Sequence, residues 1–393
     1  MFLRIRLVPQ AAASERVPVN VALVVDASSS MNEGDKLANA KAACIEVAKQ
    51  LKTDDRLWLA TFAGGVVELL SGVRGDTASL ASTESAVNQM AASGVTRVDL
   101  ALDWLRETLV RTDGGVNLGF LVTDGYPTDP NGTKLKDASD LLASAQNVGG
   151  AGAQICCVGL GDAASFDSAF LVNLAERGRG QFIYAASPDE LGDLLRVRIG
   201  SSQRNVARSA TVRINLVRPD DSLEGLCRHS QDYLPLDPVA GVDLDIGPLA
   251  VDEPTDVLVR LRVHPKPRLQ PEGVEDIVRV TCSAGKAKGI ERTANVQFTK
   301  SLKKAQTMNR EVDDAKNLWL MRMYKRESLA TDDPNRTGDL LGHIIVIAEK
   351  LGDSESAKQA KANLDELEKT GKLTANSRTM ILGAGEGPGD DKR

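Results

Sequence analysis

The sequence predicts an α/β fold, doubly wound about a mostly parallel sheet, followed by an all-β sandwich and a C-terminal helical segment. Three observations lead there. Val21–Val25 and Leu118–Val122 are unbroken apolar runs of the length of a fully buried strand. Stretches with helical spacing, about 10 to 15 residues long, alternate with such runs as far as about residue 200. Beyond Ser201 the pattern changes to short alternating runs broken by Pro, Gly and Asp, and from Leu302 it becomes helical.

Taken in order, Phe2 to Val8 alternates with period two. Phe2, Arg4 and Arg6 share one face, and Leu3, Ile5 and Leu7 the other, as in a half-buried strand. Ala11 to Arg16 reads as a polar linker into the run Val21–Val25. Lys36 to Leu51 carries Leu37, Ala40, Cys44, Val47, Ala48 and Leu51 at helical spacing. Arg56 to Phe62 and Val66 to Leu70 read as a hairpin across Gly64-Gly65. Thr77 to Met90 and Val98 to Arg111 read as helices, and Leu118–Val122 as the next strand. Lys134 to Gln146 is expected helical, Gln154 to Leu160 a strand, Phe166 to Arg177 a helix and Gln181 to Ala185 a strand. Pro188 to Ile199 is a helix with proline in its first turn.

In the all-β segment the candidate strands are Ala210–Val217, Val242–Ile246, Asp256–Val263, Asp276–Thr281 and Ala294–Lys300. That makes five or six strands. Because an isolated strand leaves its backbone unpaired, Phe2 to Val8 is expected to join them. The helical segment comprises Val312–Ser328, Asn335–Leu351 and Ser354–Lys369, the last two divided by Gly352-Asp353. Gly383 to Arg393 reads as a disordered polar tail.

A chain of 393 residues, 42% hydrophobic and 26% charged, has room for two or three globular domains. Its net charge of −6 argues against a nucleic-acid partner. Cys44, Cys156, Cys157, Cys227 and Cys282 are odd in number, and two are adjacent in a buried strand, which does not suit a disulfide framework. With no Cys-x-x-Cys pair a zinc site is not expected, and His229, His264 and His343 read as structural. The first residues, MFLRIRLVPQ, alternate where a signal peptide would be continuously apolar, and no run of 18 apolar residues occurs. A cytoplasmic protein without a membrane span is therefore expected.

The residues that carry chemistry stand at strand ends. Asp26, Ser28 and Ser30 form an Asp-x-Ser-x-Ser pattern where Val21–Val25 gives out, and ligands bind at such carboxyl ends of open α/β sheets. One carboxylate with two hydroxyls in a tight loop suits a hard divalent cation, although Ser and Asp at such a turn also serve simply as helix caps. Two further pieces follow in order. Thr96 precedes the helix Val98–Arg111, and Asp124 ends the strand Leu118–Val122, with Gly125 expected to permit a sharp turn.

Together these pieces resemble the von Willebrand factor A domain, a Rossmann-like α/β fold, with its metal-ion-dependent adhesion site. The resemblance runs over roughly residues 17 to 200. It implies hydroxyl ligation of Mg²⁺ (or Mn²⁺ or Ca²⁺) by Ser28, Ser30 and Thr96, with Asp26 and Asp124 acting directly or through water. Gly94-Val95 departs from the two glycines that often precede the Thr in that family. Gly159-Leu160-Gly161-Asp162 resembles the family's late strand-to-loop step, and as a bare Gly-x-Gly it is weak as a nucleotide signal.

In that family an open coordination position accepts an Asp or Glu carboxylate of a protein partner. The resemblance thus implies an interaction module or scaffold rather than an enzyme. Some bacterial members are cytoplasmic scaffolds that work with kinases, phosphatases or ATPases, which are the partner classes implied. The loops around the site would form the partner-binding rim, with Arg97, Gly125 and Tyr126 in it and Arg97 orienting the incoming carboxylate. The alternative is a metal-dependent hydrolase or phosphatase. Against it, the Asp26, Thr96 and Asp124 loops hold no His and no Glu nearer than Glu33, Ser28 stands where an aspartyl-phosphate enzyme has a second Asp, and no P-loop occurs.

The expected domains are an A domain over 17–202, inserted in a β-sandwich of 1–14 plus 203–302, then a helical domain over 303–382 and the tail 383–393. This layout resembles von Willebrand-type domains nested in sandwich hybrid domains.

Overall fold

Described in the computed structural model are residues 1–9, 16–230, 233–251, 253–265, 272–285 and 289–383. The chain runs through β1 (Phe2–Leu7), β2 (Val19–Asp26), α1 (Lys36–Gln50), β3 (Arg56–Phe62), β4 (Val66–Arg74), α2 (Thr77–Asn88) and α3 (Val98–Val110). It continues through β5 (Val116–Thr123), α4 (Ser139–Gly150), β6 (Gln154–Leu160), α5 (Ser168–Arg177), β7 (Arg179–Ala185) and α6 (Leu191–Ser202).

Six of these strands form one sheet in the order β4-β3-β2-β5-β6-β7. Only β4 runs antiparallel to its neighbour. β2 is the pivot, with every one of its residues buried, because both faces of the sheet are covered. Its alternation sorts side chains into two cores. Val21, Leu23 and Val25 share a core with Ala40, Cys44 and Val47 of α1 and Leu191 and Leu195 of α6. Ala22 and Val24 share a core with Leu102, Leu105 and Leu109 of α3 and Leu171 and Leu174 of α5. Each such Leu or Val contributes about 1.5–3 kcal/mol by leaving water. The chain winds from β2 to β3 on one side and returns to β5 on the other, so β2 and β5 flank the point where strand order reverses. Ligand crevices form there, outside the carboxyl ends of the strands.

Residues Lys134–Gln146 have the pattern of a helix. The helix instead begins at Ser139. Residues ahead of it are drawn into the loop: Thr128 and Lys134 form a β-bridge, Leu135 N–H donates to Pro127 O at 2.9 Å, and Asp137 accepts from Ser139 N–H at 2.8 Å.

A second unit comprises Met1–Arg16 and Arg204–Leu320. It holds β8 (Asn205–Leu216), β9 (Ser222–Arg228), β10 (Leu234–Leu236), β11 (Asp243–Ala250), β12 (Thr255–Arg262), β13 (Gly273–Ala284) and β14 (Ile290–Phe298). With β1 they form two four-stranded sheets, β1-β12-β9-β10 and β11-β8-β13-β14, around a shared apolar core. Among the described residues seven strands follow Ser202 where five or six were expected; β9 and β10 are the additions. β1 lies antiparallel to β12, with Leu3, Ile5 and Leu7 packed on the core. On its other face Arg4 and Arg6 meet Asp256 at 2.6 and 2.9 Å, and Phe2 packs edge-on against Trp319 at 6.0 Å between centroids. Of the linker expected at Ala11–Arg16, only Arg16 is described.

The C-terminal helices are α7 (Leu302–Ala305), α8 (Arg310–Ala330), α9 (Pro334–Leu351), α10 (Ser354–Thr370) and α11 (Ala375–Gly383). They do not make a compact unit of their own as the expected 303–382 domain would. Residues up to Leu320 group with the sandwich, and those from Met321 on group with Val17–Gln203. α9 ends on Gly352 in a left-handed conformation (φ 76°), and Asp353 caps α10 by accepting from Ser356 N–H at 2.9 Å. In the α/β unit, the Tyr184 hydroxyl of β7 donates to Asn376 Oδ1 of α11 at 3.0 Å. Gly383 closes α11, and the remainder of the expected tail lies outside the described residues.

Candidate metal site

β2 delivers Asp26 to the carboxyl edge of the sheet with no exposed surface. Its two oxygens are held separately. Oδ1 accepts from Ser28 N–H at 2.8 Å, and Oδ2 accepts from the Thr123 hydroxyl at 2.7 Å. The chain then turns through a short 3-10 helix, Ser29–Asn32, anchored by the fully buried Met31. That turn brings Ser28 Oγ and Ser30 Oγ within 3.1 Å of each other, and Ser30 Oγ donates to Asp124 Oδ1 at 2.8 Å. Asp124, one residue past β5, is also fully buried. Its Oδ2 accepts from Lys36 Nζ at 2.8 Å.

The third loop is tied to the first by Ser29. The Ser29 hydroxyl donates to Gly94 O and accepts from Gly94 N–H, both at 3.1 Å. Gly94 has φ +90°, a conformation in which a side chain would be strained, so the single glycine of Gly94-Val95 sits where left-handed backbone is needed. Thr96 follows, 6% exposed, its N–H donating to Thr128 Oγ1 at 3.0 Å while Thr128 N–H donates to Thr96 O at 2.9 Å. The Thr96 hydroxyl faces Gly125. A Cβ at residue 125 would stand 3.3 Å from Thr96 Oγ1. Gly125 was expected to permit a sharp turn; its φ is not positive, and the need for glycine there is one of space.

Asp26, Ser28, Ser30 and Asp124 are therefore linked by hydrogen bonds, directly or through one another, with Thr96 at their edge. Two rim residues lie differently. Arg97 was expected to face an incoming carboxylate, yet its guanidinium is engaged with Asp99, Nε to Oδ1 at 2.8 Å and Nη2 to Oδ2 at 2.5 Å. Tyr126 is partly buried beneath Lys134, whose Nζ is 3.2 Å from the ring centroid. Sequence reasoning missed Thr123, Lys36 and Ser29. The first had a signal, being the only hydroxyl in the strand β5 and adjacent to Asp124.

The donors suit a hard cation. They are two carboxylates and three hydroxyls, all oxygen, and among the described residues no group of three or more His, Cys, Asp or Glu is placed to hold a metal ion elsewhere. The electrostatics agree. Burial pushes the Asp26 carboxyl up to about 6, against the hydrogen bonds from Thr123 and Ser28 that hold it down. A buried carboxylate in that condition gains from a nearby positive charge. For Lys36, burial works against the ammonium, but its hydrogen bond and charge pairing with Asp124 outweigh burial and raise its pKa.

The family model of the von Willebrand factor type A domain matches residues 20–197. A protein of Escherichia coli strain K12 known as uncharacterized protein YfbK is 23% identical over 216 residues, 54% of this chain and 36% of that protein. The inter-alpha-trypsin inhibitor heavy chain H1 of Sus scrofa is 29% identical over 174 residues, 42% of this chain and 19% of that protein. The chain thus matches well under half the length of either curated relative. A solved structure of a von Willebrand factor type A protein from Catenulispora acidiphila superimposes with a TM-score of 0.78 at 17% identity, covering 97% of this chain and 95% of that one. The ArnB paralog VWA2 of Sulfolobus acidocaldarius gives a TM-score of 0.62 at 17% identity, covering 97% and 91%. At such identities the likeness is one of fold. Among the described residues no helix is long and apolar enough to cross a membrane.

Proposed function

We propose, given that residues 20–197 are a von Willebrand factor type A domain, that this protein is a metal-dependent interaction module that binds an acidic side chain of a protein partner. Asp26, Ser28, Ser30, Thr96 and Asp124 would hold the divalent cation, Mg²⁺ in the first instance, with Mn²⁺ or Ca²⁺ as alternatives. The observation that carries the reading is the link Ser28–Ser30–Asp124, at 3.1 and 2.8 Å, which gathers oxygen donors from two strand ends into one cluster.

When bound, the cation would supply the attraction for a partner carboxylate, which a lone surface carboxylate lacks because its desolvation offsets most of the gain. The chain's own residues set the terms. Thr123 and the Ser28 backbone orient Asp26, so its oxygens are fixed before any ion arrives. Hydroxyls outnumber carboxylates in the set, and two charges leave a divalent ion free to attract a third from outside. Thr96 is held by Thr128 and faces Gly125, beside Asp124. Arg97 would reach an incoming carboxylate only by leaving Asp99. Scaffold partners such as kinases, phosphatases or ATPases, and a cytoplasmic setting, belong to this proposal.

The test is capture of native partners by wild type and Thr96→Ala protein, each in Mg²⁺ and in EDTA. Capture by wild type in Mg²⁺ alone is the expected result. Equal retention under all four conditions would move recognition to another surface.

A further inference from the structure

Lys36 is the first residue of α1, and its side chain is 15% exposed. A cation at the mouth of an acidic site ordinarily extends into water. This one turns inward. Its Nζ is 2.8 Å from Oδ2 of the fully buried Asp124 and 3.4 Å from the exposed Glu33 carboxylate. The stem runs beside the loop after β6: Gly161 there has φ +82°, and a Cβ on it would lie in ordinary contact with Lys36 Cε, at 3.6 Å. Thus the Gly159-Leu160-Gly161-Asp162 motif, weak as a nucleotide signal, borders the lysine.

We infer that Lys36 is a tethered cation that holds Asp124 when no metal is bound and competes with the divalent ion for it. This rests on the proposed reading of the site as a metal centre and adds a residue that sets its affinity. Two charges cannot share Asp124 Oδ2 without cost. A divalent ion that takes Asp124 Oδ2 must displace the ammonium from it, and this weakens the ion's binding. In return, the metal-free loops keep the arrangement that the ion needs. Asp124 has both oxygens engaged, one with Ser30 and one with Lys36, so the site does not have to be rebuilt on each binding event.

Lys36→Met removes the competitor while keeping an apolar stem of similar length. Lys36→Arg keeps the charge. Mn²⁺ titration of each full-length protein, read by loss of the free-ion electron paramagnetic resonance signal, should show Lys36→Met binding about tenfold tighter or more. That is the size expected from losing one hydrogen bond to a charged group. Lys36→Arg should stay near wild type. Equal affinity of wild type and Lys36→Met overturns the inference while leaving the metal site standing, and weaker binding by Lys36→Met makes Lys36 a positioning residue instead. Binding by neither protein overturns both the inference and the metal reading. A second measurement guards against a variant that does not fold. In wild type, acetylation of Lys36 followed by mass spectrometry should be slow without Mn²⁺ and faster with it, and no change would overturn the competition.

Discussion

Thr123 Oγ1 and Asp26 Oδ2 lie 2.7 Å apart, joining the ends of two adjacent parallel strands, β5 and β2, through side chains alone. Both residues are without exposed surface. Thr123→Val keeps the shape and removes the donor. It should cost about 1–3 kcal/mol in urea unfolding, the usual penalty for a buried polar group that loses its partner, and should weaken metal binding as well. An unchanged midpoint would mean that Asp26 is satisfied without Thr123.

An ion that binds only the folded chain stabilises it by mass action, by about 2.7 kcal/mol at a hundredfold excess over Kd. Mg²⁺ or Mn²⁺ should therefore raise the melting temperature, and Asp124→Ala should abolish the rise. Thermal melts of both proteins in EDTA and in millimolar Mg²⁺ check this. Identical wild-type curves in the two conditions would count against an occupied site.

Gly125→Ala places a methyl group 3.3 Å from Thr96 Oγ1, tighter than an ordinary contact. Nothing else in the fold depends on that space, so Thr96 must shift by a few tenths of an ångström. Stability should change by less than about 1 kcal/mol, while Mn²⁺ affinity should fall severalfold. Calorimetry beside a denaturant titration separates the two effects.

In the sandwich, Asp256 is 5% exposed and meets both Arg4 and Arg6. Replacing both arginines by methionine leaves a largely buried carboxylate without a cation and should cost about 2–3 kcal/mol or more. Adding Asp256→Asn to that double variant should recover part of the loss. A triple variant no more stable than the double would mean that the carboxylate's charge is compensated elsewhere.

The thiols give a probe of fold integrity. Cys44, Cys156, Cys157 and Cys227 are buried, and burial pushes the Cys44 thiol up to about 12. A disulfide reagent at pH 8 should react with Cys282 first and with the other four only on unfolding, since the thiolate is the nucleophile. Five fast-reacting thiols in the native protein would contradict this packing.

What could be read from the sequence follows from burial. Strands covered on both faces are almost wholly apolar: Gln154–Leu160 was bounded to the residue, and β2 and β5 each extend one or two residues beyond the runs Val21–Val25 and Leu118–Val122. Asp26, Ser28, Ser30 and Asp124 were legible because polar residues at the ends of such strands stand out. β9 was not, because Ser222–Arg228 mixes charged, glycine and apolar positions. Its Gly225 is there for Trp319, whose ring a Cβ would meet at 2.9 Å, a constraint nearly a hundred positions away in sequence. β10 is three residues long with a proline at its centre, and α11 has no periodic apolar stripe. Lys36 looked like any solvated lysine opening a helix. Its inward turn follows an Asp from another loop, 88 positions away in sequence.

The pairing of β1 with β12 also sets a timetable. Arg6 meets Asp256 across 250 residues of chain. At the roughly 5–20 residues per second of translation, β1 leaves the ribosome about 12–50 s before its sheet partner has been made. During that interval Leu3, Ile5 and Leu7 have no core to cover them, and the strand has an open hydrogen-bonding edge on each side. Everything from β2 to α6 is synthesised in between. A nascent chain stalled before residue 255 would carry this sticky strand indefinitely, so stalled or truncated products should be more prone to clump, and more dependent on chaperones, than the finished protein.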